Sequence, residues 1–132
     1  FANGMASRPV PAGTIPFERA DIVTNTHLYQ GRVNGEYATT LPEGMVLDEK
    51  LLRRGQERYN ISCSPCHGYT GAADGFITLR GFKQPTSYFD DRLKGMPLGY
   101  YVDVITNGFG TMYSYAGRVK PEDRWAIAAY IR

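Results

Sequence analysis

Cysteine is scarce in this chain. Two cysteines among 132 residues are too few for the disulfide frameworks that staple small secreted domains. Long apolar runs are missing as well: no stretch approaches the roughly 20 apolar residues of a membrane-spanning helix, so no transmembrane segment is expected within the sequence. Phe1-Ala2-Asn3-Gly4 has neither the basic start nor the apolar core of a secretory signal. The net charge of +2 is too small to point to nucleic acid. Histidine occurs only as His27 and His67, and a structural zinc site typically draws four ligands from two well-separated pairs. What remains is 42% hydrophobic and 21% charged residues, ordinary globular material sufficient for one domain with some length left over. There is no internal repeat and no low-complexity tract.

The informative stretch is Cys63-Ser64-Pro65-Cys66-His67. Two cysteines two residues apart, followed at once by histidine, is the spacing that attaches a c-type haem. Two thiols at fixed separation on one turn add to the two vinyl groups of one porphyrin, and the next side chain reaches the iron. Three other readings compete. A redox dithiol wants a thioredoxin-like βαβ pattern, which the flanking sequence lacks. Zinc would have to recruit His27 from a segment rich in proline and glycine, and a disulfide across two residues is rare. Haem attachment is therefore expected: one covalent haem c on Cys63 and Cys66, with His67 bound to iron. Such attachment implies an oxidising compartment, so an export signal is expected to have been removed.

Residues 1–45 read as an extended Pro/Gly-rich arm, and residues 46–132 as the haem domain. The arm carries Pro9, Pro11, Pro16, Pro42 and several glycines without sustained helical periodicity. Ile15, Phe17, Ile22, Val23, Leu28 and Tyr29 make it too apolar for a solvated linker. It is expected to wrap its own domain or contact a partner subunit, with His27 an ordinary hydrogen-bonding residue. Asp48 caps a helix expected over 49–60, in which Gly55 costs up to about 1 kcal/mol of propensity and so implies close approach of another helix. Glycines 68, 71, 75 and 81 then suit a loop passing close to a flat cofactor. The Pro85 carbonyl is expected to accept the second ring nitrogen of His67. Further helices are expected over 98–106, stopped by Asn107-Gly108, and over 121–132, opened by Pro121 with Glu122 and Asp123 in its first turn. The last helix meets no cap or breaker, and the natural chain is expected to continue past Arg132.

The sixth iron ligand separates electron transfer from catalysis, because methionine opposite histidine raises the reduction potential and blocks small molecules. The candidates are Met5, Met45, Met96 and Met112. Met5 lies in the arm, Met45 just ahead of the first long helix, and Met96 precedes the helix at Leu98. Met112 lies on a glycine-rich loop able to fold over the distal face, and is the expected ligand. Arg80 is a candidate partner for a haem propionate. Arg53, Arg54, Arg58, Arg118, Lys120 and Arg124 read as solvated faces, with a local docking patch for a redox partner as the alternative.

Over residues 45–132 the chain resembles class I cytochromes c. Gly55 and Tyr59 stand eight and four residues before Cys63, and Ile127 and Tyr130 fall at matching places in the last helix. The resemblance implies an all-α class I cytochrome c fold in which these two helices cross. Arg8-Pro9-Val10-Pro11-Ala12-Gly13-Thr14, Arg80-Gly81-Phe82, the run from Val104 to Ala116 and Pro121-Glu122-Asp123-Arg124-Trp125-Ala126-Ile127 are similar to the mono-haem cytochrome c subunits of bacterial alternative complex III. That resemblance implies a subunit of a membrane quinol:electron-acceptor oxidoreductase on the periplasmic side of the bacterial inner membrane. Its partners would be the other subunits of the complex and the haem proteins that donate and accept electrons. The polypeptide would do no substrate chemistry of its own. A free-standing or oxidase-associated carrier, an open-site haem enzyme or sensor, and a mainly structural subunit are the alternatives.

Overall fold

The computed structural model describes residues 21–132 and, ahead of them, residue 4 and residues 10–14. Met5, Ile15, Phe17, and Arg8 and Pro9 of the arm motif lie outside the described residues. In chain order the elements are α1 (Thr26–Gln30), the hairpin β1 (Arg32–Val33) and β2 (Glu36–Tyr37), α2 (Glu49–Ser62), α3 (Ser64–His67), a single 3₁₀ turn (Thr78–Arg80), α4 (Asp91–Lys94), α5 (Leu98–Asn107) and α6 (Pro121–Ile131).

Helix α2 starts where Asp48, in extended backbone, accepts the Leu51 amide at 2.7 Å. It buries Gly55 and Tyr59, one turn apart, against α6. A side chain at Gly55 would run into the Ala126 carbonyl and the Tyr130 Cβ, so the two backbones pass in contact, as the glycine implied. Helix α6 begins on Pro121, whose missing N–H costs nothing at that position. Residues 123–129 of it are all buried. Arg54 of α2 grips Asp123 with two hydrogen bonds of 2.6 and 3.0 Å, fixing the rotation of one helix against the other.

The core has two adjoining parts. One gathers Ala38, Tyr101, Val102, Trp125 and Ala128, with Met45 and Met96 packed on its edge. The other gathers Tyr59, Cys63, Ile105, Val119 and Ile127. The second contains a cysteine of the motif, so the site grows directly out of the packed interior.

The extended arm expected over 1–45 carries secondary structure over its later half. From residue 26 it is structured and belongs to the domain. Asn25 accepts the Leu28 amide to start α1, and Gly31 in left-handed backbone stops it. Asn34 and Gly35, both at positive φ (52° and 86°), turn the hairpin. Tyr29 and Ala38 are buried. Gly31 and Gly99 pass so closely that a Cβ on either would strike the other's backbone, and the Gly99 amide donates to the Ala38 carbonyl at 2.8 Å. The Trp125 indole donates to the Leu28 carbonyl at 2.9 Å. Elements of two to five residues are too short to show a period, which is why the segment reads as irregular.

Replacing Gly55 by valine should cost about 3 kcal/mol of unfolding free energy through overpacking at the helix crossing. Gly117→Ala, where nothing lies within 4 Å of the added carbon, should stay within about 0.5 kcal/mol. Denaturant titration of both variants checks the difference.

Candidate functional site

The motif sits on the continuation of α2. The Cys63 amide donates back to Tyr59, and the Cys66 and His67 amides both donate to the Cys63 carbonyl, at 3.1 and 2.9 Å. Pro65 suits this new first turn, and the Ser64 hydroxyl donates to the Asn60 carbonyl at 2.7 Å. Gly68, at φ 78°, ends it. One helical turn thus carries both thiols and the imidazole.

The chain that follows folds back on the motif and holds it. Ala73, Gly75 and Ile77 donate their amides to the carbonyls of His67, Cys66 and Pro65 at 2.9, 3.2 and 3.2 Å. A side chain at Gly75 would meet the Cys66 backbone, and one at Gly71 would meet Tyr88. These two glycines therefore serve close contacts within the protein. The buried Tyr59 hydroxyl donates to the Gly68 carbonyl at 2.7 Å. Ala73 sits at φ 67° while almost wholly buried, local strain of the kind found beside functional sites.

Burial pushes the His67 ring down to about 4, so it is neutral at pH 7 and keeps a lone pair for a metal. Its face lies on Tyr88, with ring centres 4.9 Å apart and planes within 8°. Nδ1 is buried and has no hydrogen-bond partner among the described residues. The expected bond to the Pro85 carbonyl is not formed in this structure, and the described ring contact of His67 is the stack on Tyr88, three residues further on. Burial raises both thiols, Cys63 to about 12. Neither is the low-pKa thiolate on which a redox dithiol depends.

Met112 lies half-buried on the loop between α5 and α6. Phe109 and Met112 exchange both backbone hydrogen bonds at 2.9 Å, with Gly110 at φ 57° in the turn between them. Tyr115, three residues on, packs on the cluster that holds Cys63, so this loop and the motif share a wall. Met45 and Met96 are committed to the core around Trp125. His27 bonds the Thr40 carbonyl at 2.9 Å and meets Trp125 edge-on, the ordinary role expected of it. Arg80 ends the 3₁₀ turn, exposed, with its guanidinium on the Phe76 carbonyl at 3.2 Å and over the Phe76 ring.

The residues present fit a haem. Beside the motif, Leu79 and Phe82 are 83% and 67% exposed; beside Met112, Phe109 is 67% exposed. A flat apolar group between the two loops would give these side chains a partner. Among the described residues no group of three or more histidine, cysteine, aspartate or glutamate side chains could hold a bare metal ion, so the zinc alternative finds no ligands there.

The family model for cytochrome C oxidase, cbb3-type, subunit III matches residues 50–131, more than half of the chain. The chain belongs to this family. As a cytochrome c it holds its haem covalently and works in electron transfer. No curated protein matches it. Among solved structures, a chain of the Kuenenia stuttgartiensis reducing HAO-like protein complex is similar to this cytochrome c at 21% identity and a TM-score of 0.53, over 80% of this chain and 52% of that one. That likeness is one of fold, and the cytochrome c described here spans about half the length of its neighbour.

Among the 10 tyrosines of the chain, Tyr88 and Tyr115 carry no sequence signal that sets them apart. Tyr88→Ala should cost about 3 kcal/mol of stability, and Tyr88→Phe, which keeps the ring on His67, under about 1 kcal/mol. Chemical denaturation of the two variants measures both.

Proposed function

We propose that this cytochrome c carries one haem c on Cys63 and Cys66, with iron held between His67 and Met112, and that it moves single electrons within a membrane quinol:electron-acceptor oxidoreductase of the alternative complex III type. The observation that carries the closed site is the placement of the methionines: Met45 and Met96 are used in packing, while Met112 hangs on a tight turn walled to the motif through Tyr115. When bound, haem supplies reversible one-electron chemistry, at a potential that a methionine opposite histidine raises. The chain's own part is to present a neutral, stacked His67, to keep water from the ring, and to hold the distal loop shut. Arg80, exposed at the end of its turn, is the candidate partner for a propionate.

The complex assignment rests on the resemblance of the run from Arg8 to Thr14 and of the motifs from Arg80 to Ile127, and with it goes the proposal that the protein works on the periplasmic side of the bacterial inner membrane. Exposed Val23 would gain by lying on a neighbouring subunit, in keeping with a subunit-contacting role for the N-terminal arm. The description of the matched family favours a second reading, a cytochrome subunit of a terminal oxidase. Purification from membranes separates the two. Co-elution with subunits that reduce an acceptor on addition of quinol supports the first, whereas co-elution with an oxygen-consuming oxidase supports the second. Recovery of the protein alone in the soluble fraction would contradict both.

Carbon monoxide tests the closed site. The reduced protein should bind it slowly, and Met112→Ala should bind it at least about tenfold faster by opening the iron. Fast binding by the unaltered protein would contradict methionine ligation.

A further inference from the structure

Arg124 is 4% exposed and is the fourth residue of α6. A cation at that place is disfavoured twice, by loss of water and by the positive end of the helix dipole. Its hydrogen bonds show what offsets the cost. Nε donates to the Val119 carbonyl at 3.0 Å, and Nη2 to the Ala116 carbonyl at 2.9 Å. Nη1 donates to the Thr106 hydroxyl at 3.0 Å and to the Tyr29 carbonyl at 3.5 Å.

These partners have a common geometry. Thr106 is at the end of α5, where the Met112 loop leaves. Ala116 and Val119 are where it returns. The neck between them is also closed by the Tyr115 amide on the Ile105 carbonyl at 2.9 Å and the Ser114 hydroxyl on the Thr106 carbonyl at 2.5 Å. Tyr29 belongs to α1, which the next residue of α6, Trp125, holds through the Leu28 carbonyl.

We propose that Arg124 is the positioning residue for the distal ligand: its guanidinium ties both ends of the Met112 loop to α6 and to the α1 segment, and so holds Met112 over the iron. The inference rests on the reading of Met112 as an iron ligand. It requires the planar fork and not the charge alone, because a lysine ammonium at this place cannot span two carbonyls and a hydroxyl on opposite sides of the neck.

The test uses the haem-loaded protein with two readouts, carbon monoxide binding to the reduced form and hydrogen exchange at the Tyr115 and Val119 amides. Arg124→Gln and Arg124→Lys should each raise exchange at those amides at least about tenfold, the scale of losing one or more charge-assisted hydrogen bonds. The Cys63 amide, bonded to Tyr59 in α2, should not change. Both variants should bind carbon monoxide at least about tenfold faster than the unaltered protein, approaching Met112→Ala. Thr106→Val, which removes one acceptor and leaves the arginine, should shift both readouts the same way by less, and decides the matter if the arginine variants do not fold. Unaltered exchange and gas binding in Arg124→Gln, or full rescue by lysine, would overturn the proposal. If the unaltered protein already binds carbon monoxide as fast as Met112→Ala, ligation by Met112 fails, while the exchange data still decide whether Arg124 holds the loop.

Discussion

The contact on which the rest depends is the crossing of α2 and α6 at Gly55. Because no side chain stands there, the backbones meet at Ala126. The four residues of α6 around that point each hold something different. Ala126 receives Gly55, Asp123 is gripped by Arg54, Arg124 binds the neck of the Met112 loop, and Trp125 binds α1. One turn of helix therefore sets the position of the element that ends in the motif, of the loop opposite it, and of the N-terminal wrap.

Chemistry follows from that placement. Helix α2 delivers Cys63 into the core and turns once more to present Cys66 and His67, and the returning chain satisfies the motif's carbonyls. Burial keeps the imidazole neutral and both sulfurs protonated. Those states suit a ring that gives a lone pair to iron and thiols that add to a porphyrin, and they suit a redox dithiol poorly. The Met112 loop is built differently: it is short and closed at its neck by side-chain and backbone hydrogen bonds, and depends on them for its shape.

How much of this could be read from the residues varied with the length of the signal. Asp48 before a periodic run, Gly55 within it, and Pro121 with two acids after it marked the two crossing helices, because caps and breakers act locally. The motif, its reading as a cytochrome c and the loop position of Met112 were legible for the same reason. The hairpin was missed although Asn34-Gly35 is a strong turn signal, since strands of two residues show no alternation. The one-turn helix α4 left no period either. Arg124 was read as a solvated charge because nothing beside it in sequence shows that Thr106, Ala116 and Tyr29 converge on it. The stack of Tyr88 on His67 was not legible because an aromatic face has no required spacing.

The central claim is that the peptide turn at Cys63 and Cys66 is bonded through sulfur to a single haem. Peptide mass mapping of the purified protein tests it most directly, since cleavage after Arg58 and Arg80 releases residues 59–80 with both cysteines and His67. That peptide should carry the added mass of one haem. A peptide of unmodified mass, with two free thiols or with a disulfide between them, would contradict the account.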